Sequence, residues 1–326
     1  MKRTGLVLQG GGALGAYEFG VLQRLFEEPG FRPDVVSGVS IGAINAAAVV
    51  GPRNGDPVKT LADIWGRFEV LSSPLIPDAV EQFVALAGNT SFFRMRFDYF
   101  SLPTWTSFYT TEPLRATLEE FIDFDRIKRA EQQLIVTATN IETGQVEPFD
   151  NRTDEITVEH ILASGSLPPG FPMTFIKGKP YWDGGLFDNT PLGPVIDALD
   201  APDPRLIVVN LFAGEGKRPE NMPEVFDRMF EIIFSNKIEE DVKLLQRFNE
   251  FVAAMGEIDK ALPPDSKARK MPGYRRLLQC KHIKHVTYIT NRDPEIVSAP
   301  FDFSHASIVR RSAAGYRDAD NALKAA

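Results

Sequence analysis

Short apolar runs alternate along the chain with longer segments in which apolar residues recur at helical spacing. The runs GLVLQ, residues 5–9, and DVVSG, residues 34–38, predict buried strands. The segment between them predicts an amphipathic helix that ends before Pro29. Its apolar residues recur every three or four positions, at Leu14, Tyr17, Val21, Leu22, Leu25 and Phe26. The small-residue segment IGAINAAAVV predicts a second helix directly after the second strand.

The same alternation continues toward the end of the chain. Further core strands are predicted for QLIVTATN, RLIVVNLF and HVTYIT, with helices near residues 112–122, 157–164, 224–255 and 304–324. Strands that alternate with helices in this way form a mainly parallel sheet covered by helices on both faces. The pattern therefore predicts an α/β protein of a single domain. A region at about 52–110, rich in proline and aromatic residues, is interpreted as a cap-like insertion.

Composition and charge exclude several classes of protein. With 326 residues, 43% of them hydrophobic and 25% charged, the chain can bury a large core and is neither fibrous nor disordered. Its formal net charge of −8 disfavours a nucleic-acid-binding protein, because affinity for the phosphate backbone depends on excess Lys and Arg. The single cysteine, Cys280, permits no internal disulfide and fits a reducing compartment such as the cytoplasm.

No membrane-directing segment is predicted. The apolar run Leu6–Leu8 is too short for the core of a signal peptide, and it stops at Gln9 and the glycines that follow. No apolar stretch approaches the roughly 18 residues that a membrane-spanning helix needs. We therefore expect a soluble, cytoplasmic protein that meets membranes only at their surface.

Three consecutive glycines, Gly10, Gly11 and Gly12, lie between the first strand and the first helix. Residues 10–15, GGGALG, match the GxGxxG pattern of dinucleotide-binding loops, in which backbone N–H groups at a helix N-terminus bind an anion. That fingerprint also requires an acidic residue at the end of the second strand, whereas this chain has Asp34 at its beginning. A nucleotide site is therefore one alternative, and a tight turn that serves only packing is another.

A second glycine motif, GVSIG, falls between the second strand and the second helix. It is a GxSxG sequence in the context of a nucleophile elbow, where Gly38 and Gly42 relieve the crowding of a sharp turn and Ser40 projects from it. The prediction depends on this location, because the pattern alone also occurs by chance. The alternative is that Ser40 only caps the helix that follows it.

A nucleophilic serine needs a base, and two candidates are available. His305 lies late enough to complete a Ser–His–Asp triad, but FDFSHAS is typical of a helix start with Ser304 near the cap. The better candidate is Asp183 in YWDGGLFDNTPL, where the glycines after it predict a carboxylate presented on a tight turn. An Asx turn is the alternative for Asp183, and it is the interpretation for Asp188 and Asn189.

The motifs GGGALG, GVSIG and DGG, in this order and context, resemble those of the patatin-like phospholipases. The resemblance covers about residues 4–212 and includes ASGSLPPGFP, which is similar to the family's segment before its catalytic Asp. It implies a three-layer α/β/α fold with a mainly parallel central sheet. Residues 213–326, which the resemblance does not cover, are interpreted as an extension of helices and a strand. The resemblance also implies hydrolysis of lipid acyl esters without a metal or another cofactor.

The resemblance implies roles for the residues of these motifs. Ser40 corresponds to the nucleophile and Asp183 to its base in a Ser–Asp dyad, and Gly10, Gly11 and Gly12 correspond to the oxyanion-hole loop. Backbone N–H groups at a helix start can stabilise the negative charge that develops on an ester oxygen under attack. We expect burial to raise the pKa of Asp183, because a carboxylate with a pKa near 4 is a poor base at neutral pH.

The expected substrate is a phospholipid, lysophospholipid or acylglycerol at a membrane surface or in a micelle. Residues 91–109 hold many aromatic side chains, which line an acyl pocket, form a lid that meets lipid, or pack in the core. Residues 266–285 hold seven Lys or Arg and no acid, which indicates either a solvated face or attraction to anionic lipid. Leu14 stands where the family often has Arg, so any contribution of a cation there is in doubt. A catalytically silent lipid-binding relative is an alternative function.

Overall fold

The fold is described from a computed structural model. The described residues are 3–70, 88–98, 103–201, 204–212, 216, 218–235, 238–278, 283, 285–292 and 300–325. Their strands are, in chain order, β1 (Thr4–Leu8), β2 (Val35–Gly38), β3 (Gly88–Asn89), β4 (Phe93–Met95), β5 (Tyr109–Thr110), β6 (Gln133–Asn140), β7 (Val146–Asp150), β8 (Thr174–Ile176), β9 (Lys179–Asp183), β10 (Arg205–Asn210) and β11 (His285–Thr290). Their α-helices are α1 (Gly15–Phe26), α2 (Ile41–Val50), α3 (Pro57–Phe68), α4 (Glu112–Phe121), α5 (Phe124–Arg129), α6 (Val158–Ser164), α7 (Leu192–Ala198), α8 (Met222–Ser235), α9 (Ile238–Ala261), α10 (Pro272–Leu278) and α11 (His305–Ala325).

One 8-stranded sheet forms the centre of the molecule. Its strand order is β11-β10-β1-β2-β6-β9-β8, and β7 pairs with β6 in addition. Strands β11, β10, β1, β2 and β6 are parallel, whereas β7 and β9 pair antiparallel with β6, and β8 pairs antiparallel with β9. The parallel strands are the ones that the sequence predicts, because strands buried on both faces have nearly continuous apolar sequences.

Helices cover both faces of this sheet. Alternate residues of a strand point to opposite faces, so Leu6 and Leu8 of β1 belong to one buried cluster and Val7 belongs to another. The first cluster includes residues of α1, α2, α3, α4, α6 and α11, and the second includes residues of α7 and α9. The prediction of a three-layer α/β/α fold with a mainly parallel central sheet is therefore confirmed.

The insertion predicted at about 52–110 begins within the main core. Its helix α3 buries Trp65 and Phe68 in the first cluster. Strands β3, β4 and β5 form a small antiparallel sheet, and Phe93 of β4 and the preceding Phe92 also join that cluster. Residues 71–87 and 99–102 of the insertion lie outside the described residues. Helix α3 and the residues around the start of β4 are thus packed into the main core.

The C-terminal helix α11 crosses α1 at very short range. A Cβ atom at Gly20 would collide with the carbonyl group of Ser312, and a Cβ atom at Gly315 would collide with that of Tyr17. The Tyr17 hydroxyl also donates a hydrogen bond to Asp318 Oδ2 at 2.7 Å. The last helix is therefore fixed to the helix that follows the three glycines.

The helix predicted near residues 224–255 corresponds to two helices, α8 and α9. Helix α8 contacts the short 3-10 turn Gly184–Leu186, whereas α9 contributes Leu245 to the second buried cluster. Of the helices that the structure describes, none is long and apolar enough to cross a membrane.

Candidate active site

Two strands meet end to end along one edge of β6. Strand β2 pairs with residues 133–136 of β6, and Gly38 lies opposite Val136. Strand β9 pairs with residues 138–140, and Asp183 lies opposite Ala138. Strand β7 occupies the other edge of the same residues, so β2 and β9 share one edge. The C-terminal ends of β2 and β9 therefore point toward each other, and the residues after Gly38 come close to Asp183.

Ser40 stands in a sharp turn between β2 and α2. Its backbone has φ 56° and ψ −124°, which is a conformation that few residues other than glycine adopt. A Cβ atom at Gly38 would collide with the carbonyl group of Gly42, and one at Gly42 would lie 2.5 Å from the carbonyl oxygen of Leu8. The Ser40 side chain makes no capping hydrogen bond to α2. The geometry is that of the predicted elbow, and the alternative of a simple N-cap finds no hydrogen bond to support it.

Asp183 is the last residue of β9 and is 2% exposed. The sequence analysis places it on a tight turn, and that turn, Gly184–Leu186, begins directly after it. Burial raises the pKa of Asp183 to about 7, against the opposing effect of hydrogen bonds from the Gly185 N–H and the Ser40 side chain. The Gly185 bond to Asp183 Oδ1 measures 2.8 Å. The structure thus brings Ser40 and Asp183 into contact, and the pKa of the carboxyl group lies where we expect that of a base.

The glycine loop lies beside them and presents unpaired backbone donors. The Gly10 N–H donates to the carbonyl of Asn189 at 3.4 Å, and the Ala13 N–H donates to that of Pro300 at 2.7 Å. For the N–H groups of Gly11 and Gly12, no acceptor is found among the described residues. Gly12 has φ 56°, and a Cβ atom there would lie 2.5 Å from the Pro300 oxygen. The loop therefore needs glycine, and two of its N–H groups have no acceptor within the part of the chain that the structure describes.

The three glycines of the loop, Ser40 and Asp183 line one cavity. Its polar lining comes from the glycine loop, Ser40, Asp183 and Asn189, and most of the rest is apolar. Phenylalanine is the most frequent lining residue, at Phe92, Phe93, Phe171, Phe212, Phe230, Phe234, Phe301 and Phe303. Within the described lining, Asp183 is the only acidic or basic residue. The cavity is thus suited to an apolar chain whose reacting group reaches Ser40.

Some aromatic residues of the stretch 91–109 are buried at the cavity wall, and others are exposed at the surface. Phe92 and Phe93 are buried and line the cavity, so they serve both the core and the pocket. Phe97 and Phe108 are 70% and 55% exposed. For Phe92 and Phe93, the pocket interpretation and the core interpretation therefore both hold.

Asn189 is a residue of the site that sequence reasoning missed. The prediction that it only forms an Asx turn is wrong, because its Nδ2 donates to the carbonyl oxygens of Gly10 at 3.0 Å and Phe234 at 3.3 Å. Asp188 does form such a turn, since its Oδ1 accepts from the Thr190 N–H at 3.3 Å. Nothing in the sequence around Asn189 indicates that its partners are Gly10 and Phe234, which lie far away in the chain.

Ser164 is a second missed residue. Its hydroxyl oxygen accepts a hydrogen bond from the Ser40 N–H at 2.9 Å, which fixes the backbone of the elbow from α6. The only signal in the sequence is its place at the start of SGSLPPGFP, at the end of a predicted helix.

No histidine lines the cavity within the described part of the chain. His305 begins α11, with its Nδ1 2.9 Å from Glu69 Oε1, and Ser304 caps the helix as predicted by accepting from the Ser307 N–H at 3.3 Å. His160 is buried against Phe149, where it takes part in the N-terminal cap of α6. Nor do the described residues include a group of three or more His, Cys, Asp or Glu that could hold a metal ion.

Comparison with known proteins identifies the family. Residues 6–196, more than half of the chain, match the family described as Patatin-like phospholipase. The chain belongs to this family. A second match, described as Patatin phospholipase, covers residues 232–326 of this patatin-like phospholipase family member.

Several relatives of this patatin-like family member have curated names. Lysophospholipase nte1 of Aspergillus terreus is 30% identical over 190 residues, which cover 58% of this chain and 11% of the relative. Lysophospholipase NTE1 of Cryptococcus neoformans var. neoformans is 27% identical over 293 residues, which cover 86% of this chain and 15% of the relative. The chain therefore spans only a small part of these proteins. Among solved structures, VipD from Legionella pneumophila has a TM-score of 0.45 and 16% identity, with 100% of this chain and 67% of that chain covered.

Proposed function

We propose that this patatin-like family member hydrolyses lipid acyl esters, with Ser40 as the nucleophile and Asp183 as its base. The observation that carries the proposal is that Ser40, on a strained turn, and the buried carboxyl group of Asp183 line the same cavity beside the glycine loop. Family membership and the names of the lysophospholipase relatives support the same reaction class.

The first half of the reaction forms an acyl-enzyme. Asp183 takes the proton of the Ser40 hydroxyl as the serine oxygen attacks the ester carbonyl carbon. The carbonyl oxygen becomes an oxyanion, and we assign the N–H groups of Gly11 and Gly12, for which no acceptor is found among the described residues, as the donors that stabilise it. The tetrahedral intermediate then collapses, and the protonated Asp183 returns its proton to the departing alcohol or lysolipid.

The second half of the reaction releases the fatty acid. Asp183, ionised again, takes a proton from a water molecule that attacks the acyl-enzyme carbonyl. The same glycine donors stabilise the second oxyanion. Collapse of this intermediate breaks the bond to Ser40, which recovers its proton from Asp183, and the free acid leaves.

The lining of the cavity favours an acyl chain as its occupant. Its walls are mostly phenylalanine, and Lys and Arg do not occur among the described lining residues, so a phosphate group gains no charged partner there. We infer that the acyl chain enters the cavity and that the rest of a phospholipid, lysophospholipid or acylglycerol stays outside. Such substrates reside in membranes or micelles, so the reaction takes place at their surface.

The proposal is tested with purified wild type, Ser40→Ala, Asp183→Asn and the control Asp188→Asn. Each is assayed in EDTA on a short-chain nitrophenyl ester and on phospholipid vesicles. We expect Ser40→Ala and Asp183→Asn to lose at least about 10³-fold in turnover, while Asp188→Asn stays near wild type.

Two other outcomes would contradict the assignment of the base or the proposed activity itself. If Asp183→Asn keeps the activity of wild type, the base lies elsewhere and His305→Ala becomes the next variant. If wild type is inert on both substrates and a fluorophosphonate probe leaves Ser40 unlabelled, the chain is a silent lipid-binding relative.

A further inference from the structure

The segment 300–304, just before α11, lies directly on the glycine loop. The carbonyl oxygen of Pro300 accepts the Ala13 N–H at 2.7 Å. The same oxygen packs so closely on Gly12 that a Cβ atom there would lie 2.5 Å from it. The Ala13 N–H is thus paired, whereas for the N–H groups of Gly11 and Gly12 no acceptor is found among the described residues.

This segment also forms part of the cavity wall. Phe301 and Phe303 line the cavity, and Phe303 is buried against Trp65, Phe68 and Phe92. The segment thus contacts the site in two ways, through the Pro300 carbonyl and through the cavity wall, although it is distant from the glycine loop in sequence. The contacts that hold the segment in place therefore bear on the site.

A buried arginine of α11 holds the segment. Arg311 is 0% exposed, and its guanidinium donates to the carbonyl oxygen of Asp302 at 2.7 Å. The Asp302 carboxylate accepts from the Ser304 N–H at 2.9 Å and from the Ser307 hydroxyl. Burial alone would raise the pKa of Asp302, but these hydrogen bonds and the charge of Arg311 hold it below its usual value. The segment is therefore tied to α11 by a charged network.

We propose that Arg311 is a positioning residue for the glycine loop, which it orders by holding the 300–304 segment so that the Pro300 carbonyl stays on the Ala13 N–H. The proposal rests on the proposed function, in which the Gly11 and Gly12 donors stabilise the oxyanion. Oxyanion donors act only at short range and in the right direction, so a small displacement of the loop weakens the transition state more than the bound substrate.

A purely structural role for Arg311 predicts a different pattern. A buried guanidinium that only stabilises the fold would, on replacement, lower the free energy of unfolding without altering the glycine loop of the molecules that remain folded. A role confined to the cavity wall would raise KM through Phe303. Positioning of the loop instead lowers kcat and loosens the Ala13 hydrogen bond.

The test compares Arg311→Lys and Asp302→Asn with the control Arg310→Gln, an exposed arginine one residue away. Arg311→Lys keeps the charge but loses the planar fork of donors, and Asp302→Asn removes the charge that faces Arg311. Native-state hydrogen exchange of the Ala13 amide reports the loop directly, and kcat and KM on a nitrophenyl ester report catalysis.

We expect Arg311→Lys to exchange the Ala13 amide at least about tenfold faster and to lower kcat by at least about tenfold, with KM within about twofold of wild type. Asp302→Asn should change both quantities in the same direction by less, and Arg310→Gln should change neither. If Arg311→Lys fails to fold, Ala13 exchange and kcat of Asp302→Asn decide whether the network positions the loop.

Unchanged Ala13 exchange and unchanged kcat in a folded variant overturn the proposal, as does a rise in KM alone. If wild type hydrolyses no ester, the proposed function fails, and the exchange measurement still decides whether Arg311 holds the loop.

Discussion

Two carboxyl groups near the elbow are fully buried, and their surroundings differ. Asp183 contacts Ser40 and lines the cavity, whereas Glu18 of α1 is enclosed in protein. Glu18 Oε2 accepts from Asn45 Nδ2 at 2.8 Å, and for Oε1 no partner is found among the described residues. Burial raises the pKa of Glu18 to about 8, against hydrogen bonds from Asn45 and from the Gln9 backbone. The first group therefore lies on the cavity at which we propose catalysis, whereas the second is held inside the protein.

Asp183 should give the reaction its pH dependence. Only the ionised carboxylate can accept the serine proton, and its pKa is about 7, so kcat/KM should rise as the pH increases through about 7 and then level off. The measurement is kcat/KM on a soluble ester from pH 5 to 9. A profile that is already flat at pH 5 would show that the carboxyl group titrates near its ordinary pKa.

Glu18 should make the protein less stable as the pH rises. Its folded pKa lies above the unfolded value, so its contribution is complete below the unfolded pKa, near 4.5, and is lost as the pH rises through about 8. The Glu18→Gln side chain cannot ionise, so the variant does not lose this contribution. Its free energy of unfolding minus that of wild type should therefore increase between pH 5 and pH 8, by up to a few kcal/mol.

Urea unfolding at both pH values measures this difference. Asp183 titrates in the same direction and remains in the variant, so some slope should persist in Glu18→Gln. An identical pH dependence in the two proteins would show that Glu18 is already ionised in the folded state.

At the scale of residues, the motifs predicted the chemistry but not the contacts that hold it. Glycine and serine spacing pointed to Ser40 and to the loop, because a sharp turn restricts which residues can occupy it. Asn189 and Arg311 act on partners that are distant in the chain, and nothing in their local sequence indicates those partners. Such residues are found only once the fold brings the segments together.

At the scale of elements, predictability followed the extent of burial. The parallel strands β1, β2, β6 and β10 are almost fully buried and mostly apolar, whereas β9, KPYWD, is short, mixed in polarity and paired antiparallel. Helix α3 was missed because its apolar residues lie in a region rich in proline and aromatic residues. The pair of helices α8 and α9 was expected as one helix, since apolar residues recur through both.

The crossing of α1 and α11 should tolerate no side chain at its glycines. Gly315→Ala places a methyl group against the Tyr17 carbonyl, so we expect a loss of about 1–3 kcal/mol in the free energy of unfolding. At Gly66 of α3, a methyl group would meet no atom within 4 Å, so Gly66→Ala should be neutral or stabilise the protein by up to about 1 kcal/mol. Urea denaturation of both variants gives the comparison, and equal effects would contradict the close crossing.

At the scale of the whole molecule, net charge should govern the encounter with lipid. The chain carries a formal charge of −8, which repels an anionic membrane over a distance that salt shortens. We therefore expect the initial rate on anionic vesicles to rise severalfold between about 0.05 and 0.5 M NaCl, and the rate on zwitterionic vesicles to change little.

The opposite salt dependence would show that the basic residues of 266–285 dominate. Part of that stretch is already paired within the protein, since Arg269 bonds to Asp259 at 2.7 Å. Activity on a soluble ester at each salt concentration separates this surface effect from any change in the enzyme itself.

The shared edge of β6 also determines what the chain can change without losing its site. The interval from Ser40 to Asp183 contains the whole insertion, yet the positions on β6 that pair with Gly38 and with Asp183 are only two residues apart, about 7 Å along one strand. Loops in that interval can therefore lengthen or shorten in related sequences while the reacting groups keep their distance. Deleting Thr137, the single residue between the two pairing positions, would shift β9 along β6 and turn Asp183 to the other face of the sheet.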